Sequence, residues 1–464
     1  MGTQVGYGEL DSPLLSSTQQ LHIKTGTIWT AIAHIITGLI GAGVLSLAWS
    51  VAQLGWVVGP LVIFFFAGVT LLATFLLCDC YRTPHPETGR IVNSSYLKAV
   101  RHYLGPRSES ICGVLVKESL FGTGVAYTIT AAVSARTIQK SNCFRKEGHQ
   151  ASCSYGDDMY IILFGCVQVI TSQIPDFHNM KWLSVVATLM SFVYSTIGVG
   201  LGFNKLIENG EIKGSIGGVR VLSSFKKWSL IFQALGDVAF SFPFITIVLE
   251  IQDTLKFPAE NKTMKRATLT SVMVATFFFF CCACFGYAAF GDDAPGNILT
   301  GFDIYELSWL VNLANACIVV HLVGGYQVFS QPVFASVEGW LAMKFSNNSF
   351  VNDIHLVKLP VLPALKVNLL RLCFRTTYVV STTGIAMLFP YFNQVLGVLG
   401  AFNFWPLLIY FPVEMYLVQR DIDVWKTKGI LLRAFSGICL LVSIVAFAGS
   451  VEGLVSAKTG KSKL

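Results

Sequence analysis

Residues 27–49 read TIWTAIAHIITGLIGAGVLSLAW, a run free of Asp, Glu, Lys and Arg and long enough to cross a bilayer as a helix, for which about 20 residues suffice. Gly38, Gly41 and Gly43 interrupt its middle, where glycine loosens a helix. In hydrocarbon every backbone N–H and C=O needs a partner within the protein. A helix is therefore loosened at mid-depth mainly where it lines an enclosed cavity or binds something. The break reads as the start of a substrate site.

Composition agrees with a membrane setting: 53% of the 464 residues are hydrophobic and 13% charged, against roughly 25% charged in soluble proteins. Residues 1–26 form a polar tail without the basic n-region, short apolar core and cleavage site of a signal peptide, so the first membrane helix directs insertion. Within that tail, Tyr7-Gly8-Glu9-Leu10 and the acidic dileucine pattern ending at Leu15 resemble sorting signals. Such patterns also arise by chance in disordered tails.

Apolar runs recur at about 56–77, 119–137, 159–174, 182–203, 228–251, 267–290, 307–334, 372–389, 395–417 and 430–454, which with the first makes eleven spans in one domain over 27–454. Residues 455–464 would form a short extracellular tail. Pro175 stops the fourth span. The sixth contains Phe240-Ser241-Phe242-Pro243, where an interior proline removes a backbone hydrogen bond and breaks the helix as the glycines break the first. Breaks at the first position of two successive five-helix sets point to an inverted-repeat transporter, although no residue-level repeat accompanies them.

The formal charge of +7 lies in the loops. That distribution suits orientation in a bilayer and gives no reason to invoke nucleic acid. With the N-terminus cytosolic, the basic loops near 82–117, 253–266, 336–371 and 419–433 all fall inside. The segment 205–227 is the exception, placed outside yet carrying five Lys or Arg residues. Glycosylation patterns at Asn93, Asn261 and Asn347 fall on the cytosolic side and read as chance matches. Most of the twelve cysteines sit in apolar runs as packing residues, whereas Cys143 and Cys153 bracket a polar loop and form a disulfide if that loop faces outside.

Ionisable residues inside spans are costly and are functional candidates by default. His34 lies one turn before Gly38, and His321 precedes Gly324-Gly325 in span eight. Histidine, with an ordinary pKa near 6.5, suits proton movement, and equally suits a neutral hydrogen-bonded role between helices. Asp237, near the outer end of span six, is a proton carrier, a ligand for a cationic group, or a water-facing helix residue. Glu250, Glu414 and Asp79, at span ends, read as capping or ion-pair residues. At the glycine break, N–H groups of the following half-helix offer a positive dipole end to a carboxylate, and unwound carbonyls from both broken helices accept from an ammonium. Together they fit an α-amino acid. Small residues at such spacing also simply permit close helix packing. The substrate-binding candidates are Gly38, Ile40, Gly41, Ala42 and Gly43 with Phe240, Ser241, Phe242 and Pro243. No G-x-S-x-G elbow, H-E-x-x-H helix or Walker loop suggests an enzyme, nor is a metal site or cofactor expected.

GAGVLSLAWSVAQLGW at 41–56, SQIPDF at 172–177, EIQDTLK at 250–256, GYAAFGDDAPGN at 286–297, HLVGGYQVFSQP at 321–332 and FWPLLIYFPVEMY at 404–416 together make the chain resemble a plant amino acid permease of the amino acid/auxin permease superfamily. The resemblance implies a LeuT-type 5+5 bundle with broken helices 1 and 6 and an eleventh helix. It also implies proton/amino acid symport at the plasma membrane, the proton being the coupling ion, with a broad range of neutral and acidic substrates. It adds Tyr127 of span three as a residue near the substrate carboxylate and strengthens His34 and His321. In one stretch the chain departs from its relatives, which carry a more polar, tyrosine-containing segment where this one has SFPFITIV at 241–248. Carriage of another organic acid such as auxin, or amino acid sensing without transport, are the competing expectations; oligomeric state is not legible.

Overall fold

The computed structural model describes residues 24–460 except 86–88, 149–151, 154, 175–180, 222, 243, 303–307, 360–361 and 424. The sorting patterns of the tail, Pro175 and Pro243 lie outside the described residues. The chain is mostly helical. Helix α1 (Ile28–Leu39) starts at Thr27, whose side chain accepts from the Thr30 amide in a reciprocal cap. After Ile40 and Gly41 a 3-10 turn, Ala42–Ser46, leads into α2 (Leu47–Asp79). Gly55 bends α2 with a φ of +82°, a left-handed conformation suited to glycine, and a Cβ there would stand 2.1 Å from the Ile216 carbonyl oxygen.

A hairpin of β1 (Arg82–His85) and β2 (Gly89–Val92) precedes α3 (Tyr96–Glu147), which is bent at Gly105. Cys143, in the last turns of α3, is joined by a disulfide to Cys153. Then come α4 (Asp158–Ser172), α5 (Lys181–Asn209), α6 (Ser224–Phe240), a 3-10 turn at Phe244–Ile247, α7 (Val248–Thr254), α8 (Glu260–Phe290) and α9 (Ser308–Lys344). Short α10 (Ser349–Asn352) and a hairpin of β3 (His355–Leu359) and β4 (Leu362–Val367) lead to α11 (Leu369–Leu388). The remainder is α12 (Phe392–Asn403), a π-helical stretch (Phe404–Tyr410), α13 (Phe411–Gln419) and α14 (Thr427–Lys458).

Among the described residues, seven helical stretches are long and apolar enough to cross a membrane, and this is a multi-pass membrane protein. Exposed Leu61, Phe64, Phe277 and Leu441 give it the apolar outer surface that lipid requires. Burial ranks the helices: 82% of the apolar window across α6 and α7 is inside the molecule, against 17% for α14. The interrupted α6–α7 stretch is central and α14 peripheral.

Two expectations are corrected. The all-α class gives way locally to the two hairpins, antiparallel from Arg82↔Val92 to His85↔Gly89 and from His355↔Val367 to Leu359↔Leu362. Both lie in loops between apolar runs, the first around Pro84, a residue ill-suited to a helix interior. The third segment is also longer than its apolar core, because polar turns of α3 extend it at both ends.

The two ends of the bundle are fastened differently. At one, the loop between α5 and α6 lies on the Gly55 bend of α2 and the last turn of α8: the Trp56 amide donates to Ser215 O (3.2 Å), Val219 N to Ala52 O (2.9 Å) and Lys213 N to Ala288 O (3.0 Å). Lys227 Nζ donates to the Gly217 carbonyl at 2.7 Å and Lys205 pairs with Glu208, so the charges that broke the orientation pattern are partly used within the segment. At the other end, Gly26 bridges to Leu255, and Lys24 Nζ reaches Asp253 at 2.8 Å. Tyr81 donates to the same carboxylate at 2.7 Å, and Arg82 pairs with Glu260. Burial pushes the Tyr81 hydroxyl up to about 12. Burial also opposes the Lys24 charge, but hydrogen bonds to Asp253 and Tyr81 outweigh it and hold its pKa above the ordinary 10.5. The span-end acids settle here too: Asp79 pairs with Lys265 (2.6 Å), Glu414 with Arg433 (3.3 Å), and Glu250 accepts from the Tyr96 amide (3.3 Å) at the start of α3.

Candidate functional site

The interruption after α1 leaves carbonyls without a helical partner, and the structure shows where they go. Ile40 O accepts from Tyr194 Oη at 2.7 Å and from Ser191 Oγ at 2.9 Å, while Gly41 O lies 3.3 Å from Tyr194 Oη. These carbonyls, expected to receive a substrate ammonium, are thus held by α5 in this state. The Gly41 N-cap of the following 3-10 turn contributes no side-chain cap.

His321 continues this network from α9. It is fully buried, and its Nδ1 lies 3.0 Å from both the Ala187 carbonyl and Ser191 Oγ. A carbonyl only accepts, so Nδ1 carries a hydrogen, and Nε2 is buried without a partner among the described residues. His321, Ser191 and the Ile40 carbonyl therefore form a chain from α9 through α5 to the broken helix. The Tyr194 and Tyr127 rings flank the imidazole, with centroids 5.8 and 6.5 Å away.

Tyr127 is clasped between two glycines: a Cβ on Gly41 would meet its hydroxyl at 2.9 Å, and one on Gly325 would meet its ring at 2.8 Å. The second interruption sits against the first. At Gly43 an added Cβ would stand 2.6 Å from Ser241 Oγ and 2.8 Å from Ser241 Cα, so the broken helices touch directly. Ser241 Oγ donates to the Asp237 carbonyl (3.3 Å) as α6 ends, and Gly38 faces Phe244.

Ile40, Gly41, Gly43, Tyr127, Ser241 and His321 therefore converge, with Ala42 buried among them. Phe242 points elsewhere, its ring 5.3 Å from that of Phe279 in α8, and Phe240 backs onto Gly400 of α12. His34 is half-buried on α1, one turn before the break. Asp237 corrects the water-facing reading: it is 0% exposed. Nearness to the end of a span does not reveal which face a residue occupies. Ser191 and Tyr194 were not anticipated, although their i, i+3 spacing in MSFVYST puts two polar groups on one side of an apolar helix.

A family model described as "Transmembrane amino acid transporter protein" matches residues 24–456. Among curated proteins of Arabidopsis thaliana, "Probable amino acid permease 7" is 56% identical over 97% of this chain and 98% of its own length. "Amino acid permease 6" is 48% identical over 93% of this chain and 91% of itself. "Lysine histidine transporter-like 6" is 29% identical over 89% and 90%.

Proposed function

The chain belongs to the transmembrane amino acid transporter family, within its plant amino acid permeases, and from that premise we propose that it imports amino acids together with protons across the plasma membrane. The observation that carries the reading is the meeting of two interrupted helices at Gly43 and Ser241, beside Tyr127 and His321. Backbone freed at mid-depth offers both amides and carbonyls, the two recognition elements an α-amino acid needs. In this proposal the substrate carboxylate takes the amide end of the half-helix after Gly41, near Tyr127, and its ammonium displaces Tyr194 and Ser191 from the Ile40 carbonyl. Displacement would be felt at His321, linking substrate arrival to α9.

The architecture proposed is a LeuT-type 5+5 inverted repeat with an eleventh helix, the N-terminus in the cytosol and the C-terminal tail outside. Alternating access is then a rocking of the broken-helix bundle, with the 205–227 loop fastening one end and the Lys24–Asp253 contact the other. A proton crossing 100 mV and one pH unit releases about 2.3 and about 1.4 kcal/mol respectively, enough for roughly several-hundred-fold accumulation of a neutral substrate.

Voltage-clamped oocytes expressing the protein, tested with a panel of amino acids at external pH 5.5 and 7.5, decide the proposal. Inward current and uptake that rise at acid pH are expected. Absence of flux for every amino acid despite confirmed surface expression would overturn it in favour of a sensor or another substrate.

A further inference from the structure

Asn297 and Asn393 are 4% and 6% exposed, and the side-chain amide nitrogen of each is buried with no hydrogen-bond partner among the described residues. Unpaired buried donors are uncommon in a native fold and mark a place where an acceptor from outside the chain belongs. Asn297 Oδ1 is already used, accepting from the Leu299 amide at 3.0 Å, so only its nitrogen is open. Asn393 stands in the first turn of α12, whose N-cap residue, Tyr391, contributes no side-chain cap. The uncapped amides and positive dipole end of a 12-residue helix therefore accompany its nitrogen.

The two asparagines meet at Gly296: a Cβ there would stand 2.6 Å from Asn393 Oδ1 and 3.4 Å from its Nδ2, and Asn297 is the next residue. Segment 291–302, which carries Gly296 and Asn297, follows α8 and is stapled at its ends by the Phe290 and Phe302 rings, with centroids 5.2 Å apart. It also reaches the broken helix. Ile298 is wedged between α8 and the first turn of α2, since a Cβ on Gly286 would stand 2.6 Å from both Ile298 Cδ1 and Ala48 Cβ. That turn of α2 continues directly from the 3-10 turn after Gly41. The segment thus runs from the start of α12 to the half-helix of the substrate site.

Charge decides which acceptor fits. Segment 291–302 and α12 contain no Lys, Arg or His, and their only charged residues are the exposed Asp292 and Asp293. A carboxylate accepts from several donors at once, which suits two side-chain amides beside a helix N-terminus. The neighbouring acids repel a bare organic anion but attract the ammonium of a zwitterion. Resting on the import reading above, we infer that Asn297, Asn393 and the amide end of α12 form an outer binding site for the carboxylate of an incoming α-amino acid. The substrate is held there first and then passes Ile298 to the half-helix after Gly41, where freed amides receive the carboxylate a second time. No covalent bond is made or broken.

The test is L-alanine transport in voltage-clamped oocytes expressing Asn297→Asp or Asn393→Asp. Each substitution keeps the shape of the side chain and exchanges a donor for an acceptor, and aspartate at 297 still caps Leu299. Each is expected to raise the KM for external L-alanine at least about tenfold, with maximal current within about twofold of wild type. Efflux of preloaded L-alanine should keep its dependence on internal concentration. If the amides merely hold water, aspartate accepts from that water instead, and an unchanged external KM overturns the inference. Equal rises in the external and internal KM assign the residues to packing and overturn it as well. Should the aspartate variants fail to reach the surface, Asn297→Ser, which retains a capping oxygen, and Asn393→Ala decide: a raised external KM at retained maximal current supports the site, and an unchanged KM overturns it. Wild-type protein that carries no amino acid sinks the import reading itself, a result distinct from all of these.

Discussion

Two hydroxyls on α5 share one carbonyl of the broken helix, and that sharing sets the size of their individual effects. Tyr194→Phe leaves Ile40 O with Ser191 and is expected to cost about 1 kcal/mol, roughly a fivefold change in KM, measured by concentration-dependent uptake. Combining it with Ser191→Ala strips the carbonyl of both donors, and the double variant should lose more than the sum of the singles. His321→Ala removes the Nδ1 donor shared by the Ala187 carbonyl and Ser191 Oγ; Ala187 O keeps Ser191 Oγ at 3.0 Å, so the hydrogen-bond loss is about 1 kcal/mol and the space vacated by the buried ring adds to it. Uptake should fall about tenfold or more at unchanged surface biotinylation; near-normal uptake would assign the histidine to packing alone.

At the scale of the element, the interruptions themselves are the working parts. Gly43→Ala is expected to abolish uptake while the protein still reaches the surface, because its Cβ meets Ser241 Cα at 2.8 Å as well as the hydroxyl. Ser241→Gly should not restore it, since the backbone atom remains; restoration would mean the helices do not meet there during transport. Gly55→Ala combines a left-handed φ with a 2.1 Å approach to the Ile216 carbonyl, and a thermal-shift assay on detergent-purified protein should show a clearly lower Tm. Both interruptions were legible in the sequence because a bilayer tolerates freed backbone inside an apolar run only where the protein itself encloses it. The partners of those interruptions were not. Ser191, Tyr194 and Gly325 lie on other helices, and only tertiary packing says which face of α5 or α9 turns toward Ile40. The burial of Asp237 was hidden for the same reason, while the hairpins formed in loops whose composition carried no periodic signal.

For the molecule as a whole, the fastening around Lys24 bears on how acid pH acts. Because hydrogen bonds raise the Lys24 pKa, the stability it contributes is fully present below the ordinary 10.5 and is lost only as pH rises through the higher folded value. The Tyr81 hydroxyl, held at about 12, is likewise unchanged near neutrality. Lys24→Ala should therefore alter uptake by the same factor at pH 5.5 and 7.5, and unequal factors would assign part of the acid response to this end of the bundle. The opposite end is fastened through main-chain atoms of Lys213, Ser215 and Val219, with the Ile212 and Ile216 side chains left 71% and 75% exposed. A segment gripped by its backbone leaves most of its side chains free to drift between species without loosening the grip. Gly214 and Gly218 are exceptions, with φ +95° and +70° and Cβ positions 2.4 Å from the Tyr287 ring and from the Gln53 carbonyl oxygen respectively. Positions 211, 212 and 216 are thus the natural places to write in an antibody epitope or a dye-reactive residue, reporting on the carrier without perturbing its cycle.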